Sequence, residues 1–406
     1  MAIHPSKAVL VAPNLGASFA GGGGSSVAAN VAQAMLESGM CVSSVALSGY
    51  SKQILDELHG TELLAYGNRL SFNHLITRRL RNRGAQKLAS SLATSIALLG
   101  FQYYLSHKIK QLKPDIVWFN DDIPKLCEKE LRDQYSIQYI NFSFQTRLRV
   151  RVDEQWEDYG ERVQSPKKRW GYVPRMVQLL VGENALGSDI IIANSSITKR
   201  YLKKTNPSLK PLIIPPPVRI ANYISEEKKV QIAAIGAYRP NKRFGDIIQA
   251  LNLSKNRKLR LIIVGLRDDD DYLCYLRRLV MSLGLQDRVF LIANASRSFV
   301  RNVLAESSMI VSAARFEPFG IAVAEGMGNG CIPVVFAGED SGPWKDITEN
   351  GKYGYGFKNI EQLSKILDFV SNNISKGDSE ELRGRALQFS RLKFKNIIKN
   401  LLEKGF

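Results

Sequence analysis

Cysteine and histidine are both scarce in this sequence of 406 residues, which contains four of each. The cysteines are far apart, form no C-x-x-C pair and lie in no cluster with histidine, which excludes a zinc site or a disulfide framework of the usual spacing. Isolated thiols in a chain of this length favour a reducing compartment. The four are Cys41, Cys127, Cys274 and Cys331.

Long hydrophobic runs are few as well. The N-terminal MAIHPSKAVLVAPN has too short an apolar run for a secretory signal and predicts a β-strand instead. The stretch Leu88–Leu105 has about the length of a membrane span, but Ser90, Thr94 and Gln102 are among the polar residues that interrupt it. Its amphipathic pattern favours a helix of a globular domain. We therefore expect a cytoplasmic protein, soluble or attached peripherally to the cytoplasmic membrane face.

Acidic residues are absent from residues 63–114, which carry nine lysines and arginines. The whole chain is basic, with 56 Lys and Arg against 38 Asp and Glu and a net charge of +18. Such an excess indicates an anionic partner, either nucleic acid, anionic lipid or a phosphorylated small molecule. Phe72, Leu75 and Leu80 alternate with the arginines, a pattern typical of a helix on a membrane surface. We predict that residues 69–113 contact an anionic membrane; generic basicity of the organism's proteins is the alternative.

Short β-branched runs alternate with helical patterns along the whole chain, which predicts parallel α/β layers. The series occurs twice, and Pro215, Pro216 and Pro217 between the halves can continue neither a helix nor a central strand. Hydrophobic residues make up 45% of the chain, near the average of about 45–50% for globular domains, so each half can form its own core. We predict domains over 1–212 and 228–388, facing each other across a cleft.

Two loops at predicted strand ends are candidates for phosphate binding. Gly21–Ser26 connects a strand to a helix, where glycines and a helix N-terminus can hold an anion, although a flexible loop is the alternative. The Gly21–Ser26 loop has neither the G-x-G-x-x-G spacing of a dinucleotide-binding loop nor the lysine of a P-loop. Arg239, Lys242 and Arg243 follow the predicted strand Val230–Ile235, and three cations at the carboxyl edge of a parallel sheet suit a diphosphate. Solvated surface charge is the alternative there.

The most informative segment is SAARFEPFGIAVAE, residues 312–325. It predicts a loop that carries Glu317 after a strand, and a helix that carries Glu325 about one turn inside. Carboxylates at these places can accept hydrogen bonds from sugar hydroxyls, while Gly320 exposes backbone N–H groups to a phosphate.

This segment resembles the E-x7-E element of the retaining GT-B glycosyltransferases of family 4. Gly21–Ser26, the ANSSIT segment at 193–198, the PPPV segment at 215–218 and the loop 236–242 are similar to further family motifs in the same order. Ser341, Gly342, Pro343 and Asp346 resemble a later loop of the donor domain. The nearest branch contains the mannosyltransferases of lipid-linked oligosaccharides. The resemblance implies an α/β fold of two Rossmann-like domains, with a C-terminal helix over about 389–406 that packs back on the first domain.

The resemblance also implies roles for individual residues. Lys242 would neutralise the donor diphosphate, and Arg239 or Arg243 would replace the family's arginine, which falls on Ala237. Glu317 would contact the transferred sugar, Glu325 would contact the ribose, and Phe319, Gly320 and Ile321 would contribute backbone groups. The further donor-binding positions are Gly22, Gly23, Gly236 and Gly265.

On the acceptor side we predict roles for Asn120, Asp121 and Asn141. Many relatives have a functional histidine at the position of Asn141, which can hydrogen-bond but cannot take a proton. The histidines of this chain, His4, His59, His74 and His107, lie at no recognisable catalytic position, which argues against an inverting enzyme with a general base. Asp268–Asp271 includes a D-x-D spacing, but we interpret it as a solvated acidic loop and predict no metal site.

We therefore predict a retaining hexosyltransferase that needs no metal or other cofactor. Its donor would be a UDP- or GDP-sugar, and its acceptor a saccharide or a polyprenyl-phosphate-linked saccharide at the membrane surface. One alternative is a non-catalytic relative of the same fold, because Ala237 and Asn141 depart from the family pattern. Another is a basic protein that binds nucleic acid or membrane, although no RNP-like, KH or helix-turn-helix signal supports a nucleic-acid partner. An epimerase or phosphorylase of the same fold is the third.

Overall fold

Two parallel β-sheets, each covered by helices, make up the molecule. A computed structural model describes residues 7–12, 23–47, 50, 52–66, 100–120, 125–141, 187–222, 224, 228–373 and 377–403. Within these residues every strand pairing of both sheets is parallel, as expected where helical crossovers connect successive strands. The fold is therefore of the predicted α/β class, with two Rossmann-like domains.

The first sheet has the strand order β3-β2-β1-β4-β5-β6-β7. It is buried on both faces, because one core cluster contains Ala8 and Leu10 of β1 while a second contains Val9 and Val11. Alternate residues of a strand point to opposite faces, so each face has its own core. The strands are β1 (Lys7–Val11), β2 (Cys41–Ala46), β3 (Glu62–Ala65), β4 (Ile116–Asn120), β5 (Tyr135–Ile140), β6 (Ile190–Ala193) and β7 (Leu212–Ile213).

The second sheet has the order β10-β9-β8-β11-β12-β13, so β8 lies between β9 and β11. The order reverses direction at β8, and ligands of open α/β sheets bind at such a point, beyond the carboxyl ends of the strands. The strands are β8 (Lys229–Ile235), β9 (Arg260–Gly265), β10 (Val289–Ala293), β11 (Ser307–Ser312), β12 (Ile332–Phe336) and β13 (Tyr355–Phe357).

Helices cover both sheets. The C-terminal helix packs against α1, and its Phe394, Ile398 and Leu402 join the core of the first sheet, as the resemblance implied. The described helices are α1 (Gly23–Glu37), α2 (Lys52–Glu57), α3 (100–112), α4 (Ser196–Thr205), α5 (Phe244–Leu253), α6 (Asp270–Ser282), α7 (Arg297–Glu306), α8 (Ile321–Gly328), α9 (Ile360–Asn372), α10 (Gly377–Leu387) and α11 (Arg391–Glu403).

The chain passes between the two sheets twice, and the two crossings run side by side. Val218 N donates to Phe389 O at 2.8 Å, and Arg391 N donates to Val218 O at 3.2 Å. Glu57 of α2 accepts hydrogen bonds from both Arg219 and Arg391, one on each crossing. The two crossings are therefore bonded to each other and to the first domain.

Each domain contains two cysteines, of which one is exposed and one is buried. Cys41 and Cys274 are exposed, whereas Cys127 and Cys331 are buried. Burial raises the pKa of the Cys127 thiol to about 12 and that of Cys331 to about 11.

Candidate active site

The loop after β8 places Lys242 beside the carboxyl end of that strand. Residues Pro240–Lys242 form a short 3-10 turn, and Arg243 adopts a left-handed conformation with φ of 51° before α5 begins. A Cβ on Gly236 would lie 3.4 Å from the Lys242 side chain, and a Cβ on Gly265 would lie 1.8 Å from the Gly236 carbonyl oxygen. Gly265 therefore lets the ends of β8 and β9 approach each other closely, whereas a Cβ at position 236 would make only ordinary van der Waals contact with Lys242.

Lys242 and Glu317 meet across neighbouring strand ends of the second sheet. Lys242 Nζ lies 2.5 Å from Glu317 Oε2, although the two residues are 75 positions apart in the sequence. Their side chains are 27% and 19% exposed, so both groups remain open to solvent. The structure thus brings together the cation and the carboxylate that the sequence singled out.

The backbone of Glu317 is held on both sides by the segment 339–342. Glu317 N donates to Asp340 O at 3.1 Å, and Gly342 N donates to Glu317 O at 2.7 Å. A Cβ on Gly342 would lie 1.9 Å from Pro318 O, so only glycine allows this close approach. The position of the Glu317 carboxylate therefore depends on this neighbouring loop.

Gly320 is the N-cap of α8 and has a left-handed conformation with φ of 92°. Such a φ favours glycine, and a Cβ would in addition lie 2.5 Å from Pro343 Cγ. Phe319 is buried against Phe389, so its side chain belongs to the core. The first N–H groups of a helix have no partner within the helix, which makes the N-terminus at Gly320 and Ile321 suited to an anion.

Glu325 lies one turn inside α8 and is largely buried. Burial raises the pKa of its carboxyl group, and the nearby cations Arg297, Arg219 and Arg391 oppose that shift. Arg297 Nη1 lies 3.9 Å from Glu325 Oε1. Arg297 is the first residue of α7, whereas Glu325 lies in α8. No sequence motif links the two positions, so this contact was not predicted from the sequence.

The other two cations of the β8 loop bond to different carboxylates. The Arg239 guanidinium is half exposed and pairs with Asp268, which raises the pKa of the arginine. The Arg243 side chain is 7% exposed, and its Nε lies 2.7 Å from Asp246 Oδ2. Arg239 is therefore the more accessible of the two candidates for a second diphosphate contact.

The interpretation of Asp268–Asp271 as a solvated acidic loop is correct in that Asp268, Asp270 and Asp271 are exposed, but it is wrong about the loop, because α6 begins at Asp270. Asp269 is the N-cap of α6, where its side chain accepts a hydrogen bond from Tyr272 N at 3.0 Å. Asp270 and Asp271 belong to the first helical turn, where carboxylates are favoured by the helix dipole. Among the described residues, no group of three or more His, Cys, Asp or Glu side chains is placed to hold a metal ion.

Three asparagines meet at the carboxyl edge of the first sheet. Asn141 Nδ2 donates to Asn120 Oδ1 at 3.4 Å, and Asn194 Nδ2 donates to Asn141 O at 2.5 Å. Asn194 follows β6 and was not among the predicted acceptor residues. Its position directly after a buried strand was the signal available in the sequence.

Some predicted residues fall outside this description. Gly22 and Asp121 lie outside the described residues, as do residues 69–99 of the predicted membrane segment 69–113. Gly23 is the first residue of α1, so the helix begins within the predicted loop Gly21–Ser26. In α3, Phe101, Leu105 and Ile109 are buried. Within the described part of the chain, no helix has both the length and the hydrophobicity to cross a membrane.

The second sheet lies in a region of the chain that is similar to a known protein family. Residues 219–384 match the family model described as "Glycosyl transferases group 1". This range includes all six strands of the second sheet, the Lys242–Glu317 pair and both glutamates of the E-x7-E segment.

Curated relatives are similar to part of the chain. The "Uncharacterized glycosyltransferase YqgM" of Bacillus subtilis (strain 168) is 26% identical over 225 residues, 53% of this chain and 59% of that protein. The "GDP-Man:Man(3)GlcNAc(2)-PP-Dol alpha-1,2-mannosyltransferase" of Mus musculus is 30% identical over 184 residues, 39% of this chain and 36% of that protein. The chain therefore matches less than two thirds of the length of either relative.

Solved structures match over the whole chain. The Anabaena protein HepE, crystallised with UDP and glucose, has a TM-score of 0.66 and 14% sequence identity, with 98% of this chain and 100% of that chain covered. At this identity the likeness shows the fold, which is that of the GT-B glycosyltransferases. Residues 219–384 are thus similar to the group 1 glycosyltransferases, and the chain as a whole has the GT-B fold.

Proposed function

We propose that this protein is a retaining glycosyltransferase that transfers a hexosyl group from a nucleotide sugar to a lipid-linked saccharide. The observation that carries the proposal is the Lys242–Glu317 pair, a cation and a carboxylate 2.5 Å apart at strand ends in the region that is similar to the group 1 glycosyltransferases. The mouse relative is named for a GDP-mannose donor and a PP-Dol-linked acceptor, which makes GDP-mannose the first donor to test.

The donor diphosphate would lie between Lys242 and the N-terminus of α8. Lys242 and the helix N–H groups at Gly320 and Ile321 supply positive charge, and Arg239 is accessible enough to add a second cation. Fixed donors of this kind stabilise charge that develops on a leaving group. Glu317 would contact the transferred sugar and Glu325 the ribose. Because the free protein pairs Lys242 with Glu317, the arriving diphosphate would replace Glu317 as the partner of the lysine.

In the proposed reaction the bond between the sugar C1 and the diphosphate oxygen breaks. The acceptor hydroxyl oxygen then forms a bond to C1 on the same face, and its proton passes to the departing diphosphate. This route needs no protein general base, in keeping with an asparagine at position 141. It also needs no metal ion, because protein cations balance the diphosphate charge.

A panel of UDP- and GDP-sugars tests the donor by thermal unfolding. A ligand at 100 times its Kd stabilises the folded state by about 2.7 kcal/mol, which a melting curve resolves. We expect GDP-mannose to stabilise the protein and to support transfer to a polyprenyl-diphosphate-linked saccharide with EDTA present. Stabilisation by no nucleotide sugar would contradict the proposal, and stabilisation without any transfer would favour the non-catalytic alternative.

The acceptor half would meet the membrane through the segment 69–113. Residues 100–113 are the described part of this segment. There α3 buries one face, whereas Tyr103 is 74% exposed, and Lys110 in the helix and Lys113 after it are also exposed. Each cation near an anionic leaflet contributes about 1 kcal/mol. We expect anionic vesicles to recover more protein by flotation than neutral ones, and Lys110→Gln with Lys113→Gln to reduce that recovery. The control is Arg257→Gln with Lys258→Gln, exposed in the second domain; equal recovery in both vesicle types would contradict membrane contact.

A further inference from the structure

Helix α4 of the first domain contacts the loop that holds Glu317 in the second domain. Ser195 caps the helix by accepting a hydrogen bond from Thr198 N, and α4 then continues from Ser196 to Thr205. Residues 196 and 200 lie on one side of the helix, since they are four positions apart, and Tyr201 follows Arg200 directly.

Each of these three residues forms a hydrogen bond across the domains. Ser196 N donates to Asp346 Oδ2 at 3.0 Å, and Arg200 Nη2 donates to Glu339 O at 2.9 Å and to Asp340 Oδ1. Tyr201 Oη donates to Asp340 Oδ1 at 2.8 Å. We call this set the α4 contact.

The α4 contact reaches Glu317 through Asp340 and Phe316. The side chain of Asp340 bonds to α4, while its carbonyl oxygen accepts the Glu317 N–H. The Tyr201 ring also packs edge to face on Phe316, the residue before Glu317, with ring centroids 5.8 Å apart. Tyr201 therefore contacts both Asp340, which accepts the Glu317 N–H, and Phe316, which precedes Glu317.

The first turn of α4 is also bonded to the asparagine cluster of the first sheet. Thr198 Oγ1 donates to Asn194 Oδ1 at 2.6 Å, and Asn194 Nδ2 donates to Asn141 O. Hydrogen bonds and one helix thus connect the predicted acceptor side to the carboxylate on the donor side.

We propose that Arg200 and Tyr201 are positioning residues, through which the first domain sets the place of the Glu317 carboxylate. The inference rests on the proposed role of Glu317 at the transferred sugar. Because the contact crosses the domains, the Glu317 loop has its full set of hydrogen bonds only when the two domains are adjacent. Lys242 belongs to the second domain alone, so its hold on a diphosphate does not need the α4 contact.

The test compares Tyr201→Phe and Arg200→Gln with Lys203→Gln, an exposed cation of the same helix. A displacement of about 1 Å at a reacting group can lower the rate about 100-fold, so we expect kcat to fall about 10- to 100-fold in the first two variants. Donor KM, and the Kd of GDP and UDP measured by calorimetry, should stay within about twofold, because the diphosphate site is intact. The Lys203 variant should behave as the unchanged protein.

Two kinetic outcomes would overturn the inference. One is an unchanged kcat in both Tyr201→Phe and Arg200→Gln. The other is a loss of kcat that only parallels a loss of nucleotide binding, because that result would indicate general collapse of the site. A double-mutant cycle adds a check: Tyr201→Phe and Asp340→Asn should be non-additive in kcat, whereas Tyr201→Phe and Lys203→Gln should add.

Hydrogen exchange separates this inference from the proposed function. If the unchanged protein transfers no sugar, the function fails, but exchange of the Glu317 and Gly342 amides still reports on their loop. Faster exchange of these amides in Tyr201→Phe and Arg200→Gln, and not in Lys203→Gln, supports the α4 contact as their constraint. Equal exchange in all three variants overturns it.

Discussion

At the scale of single residues, Lys242 and Glu317 carry opposite charges that donor binding would separate. Their partial exposure means that an ion pair of this kind contributes little to folding, about 0–1 kcal/mol. Under the proposed function, the pair would act as a preorganised site for the donor rather than as a stabilising contact.

Replacing either member should abolish transfer and leave the fold intact. We expect Glu317→Gln and Lys242→Met each to lower the transfer rate by about 100-fold or more, because each removes a group aimed at the reacting centre. Lys242→Met should also weaken GDP and UDP binding, whereas Glu317→Gln should retain it. Initial rates, calorimetry and melting temperatures measure the three properties, with Lys258→Met as control. Near-normal turnover in either variant would remove the site assignment.

The buried carboxyl group of Glu325 leads to a prediction about how the stability of the fold depends on pH. Burial raises its folded-state pKa above the ordinary value of 4.5, despite the opposing cations. The folded state then binds more protons than the unfolded state, so the free energy of unfolding falls as the pH rises from 4.5 through the raised value. Glu325→Gln should make this fall shallower in denaturant unfolding at pH 4.5 to 8, with the exposed Glu361→Gln as control. An equal slope in Glu325→Gln and the unchanged protein would contradict the prediction.

At the scale of elements, buried strands were the most predictable features. The predicted strand Val230–Ile235 is β8, which begins one residue earlier, at Lys229. It could be predicted because a continuous run of largely apolar residues identifies a strand buried on both faces. By contrast, β7 has only two residues, Leu212 and Ile213, both exposed, and lies at the predicted end of the first domain, just before the three prolines. Its place in the sheet comes from pairing with β6, which no local pattern records.

The start of α6 escaped prediction for a different reason. Four consecutive aspartates look like a solvated loop, yet the second of them caps the helix and the first pairs with Arg239, 29 residues earlier. Composition alone cannot distinguish a cap from a loop, because both favour aspartate.

Removing that cap should destabilise the second domain. We expect Asp269→Ala to lower the free energy of unfolding by about 1 kcal/mol, the typical value of an N-cap hydrogen bond. Asp271→Asn, in the exposed first turn of the same helix, should have a smaller effect because it loses only a dipole interaction. Denaturant unfolding compares the two. A larger loss in Asp271→Asn would contradict the assignment of Asp269 as the cap.

At the scale of the whole molecule, the relation between the domains depends on contacts far apart in sequence. The E-x7-E segment and the β8 loop could be predicted because each is local and has a recognisable pattern. The α4 contact could not, since Arg200 and Asp340 are 140 residues apart and neither lies in a spacing that implies the other. Such contacts arise only when two folded domains meet.

Glu57 should restrict the relative movement of the domains. It bonds to Arg219 and Arg391 on the two chain crossings, and Glu57→Gln would remove the charge from both contacts. We expect a correctly folded protein with a wider distribution of domain separations, seen as an increased radius of gyration in small-angle X-ray scattering. The matched control is Glu37→Gln, which pairs with Lys395 and Lys399 within the first domain and its C-terminal helix. Identical scattering from both variants would contradict the role of Glu57.

The distribution of thiols makes the native chain suitable for distance measurements. Cys41 lies in the first sheet and Cys274 on a helix of the second domain, and both are exposed. The other two thiols are buried with raised pKa values of about 12 and 11, so few of them are ionised and reactive near neutral pH. Spin labels or fluorophores would therefore attach to one site in each domain without any substitution. If the domains close on donor binding, as we expect, the closure would be recorded as a change in one measured distance.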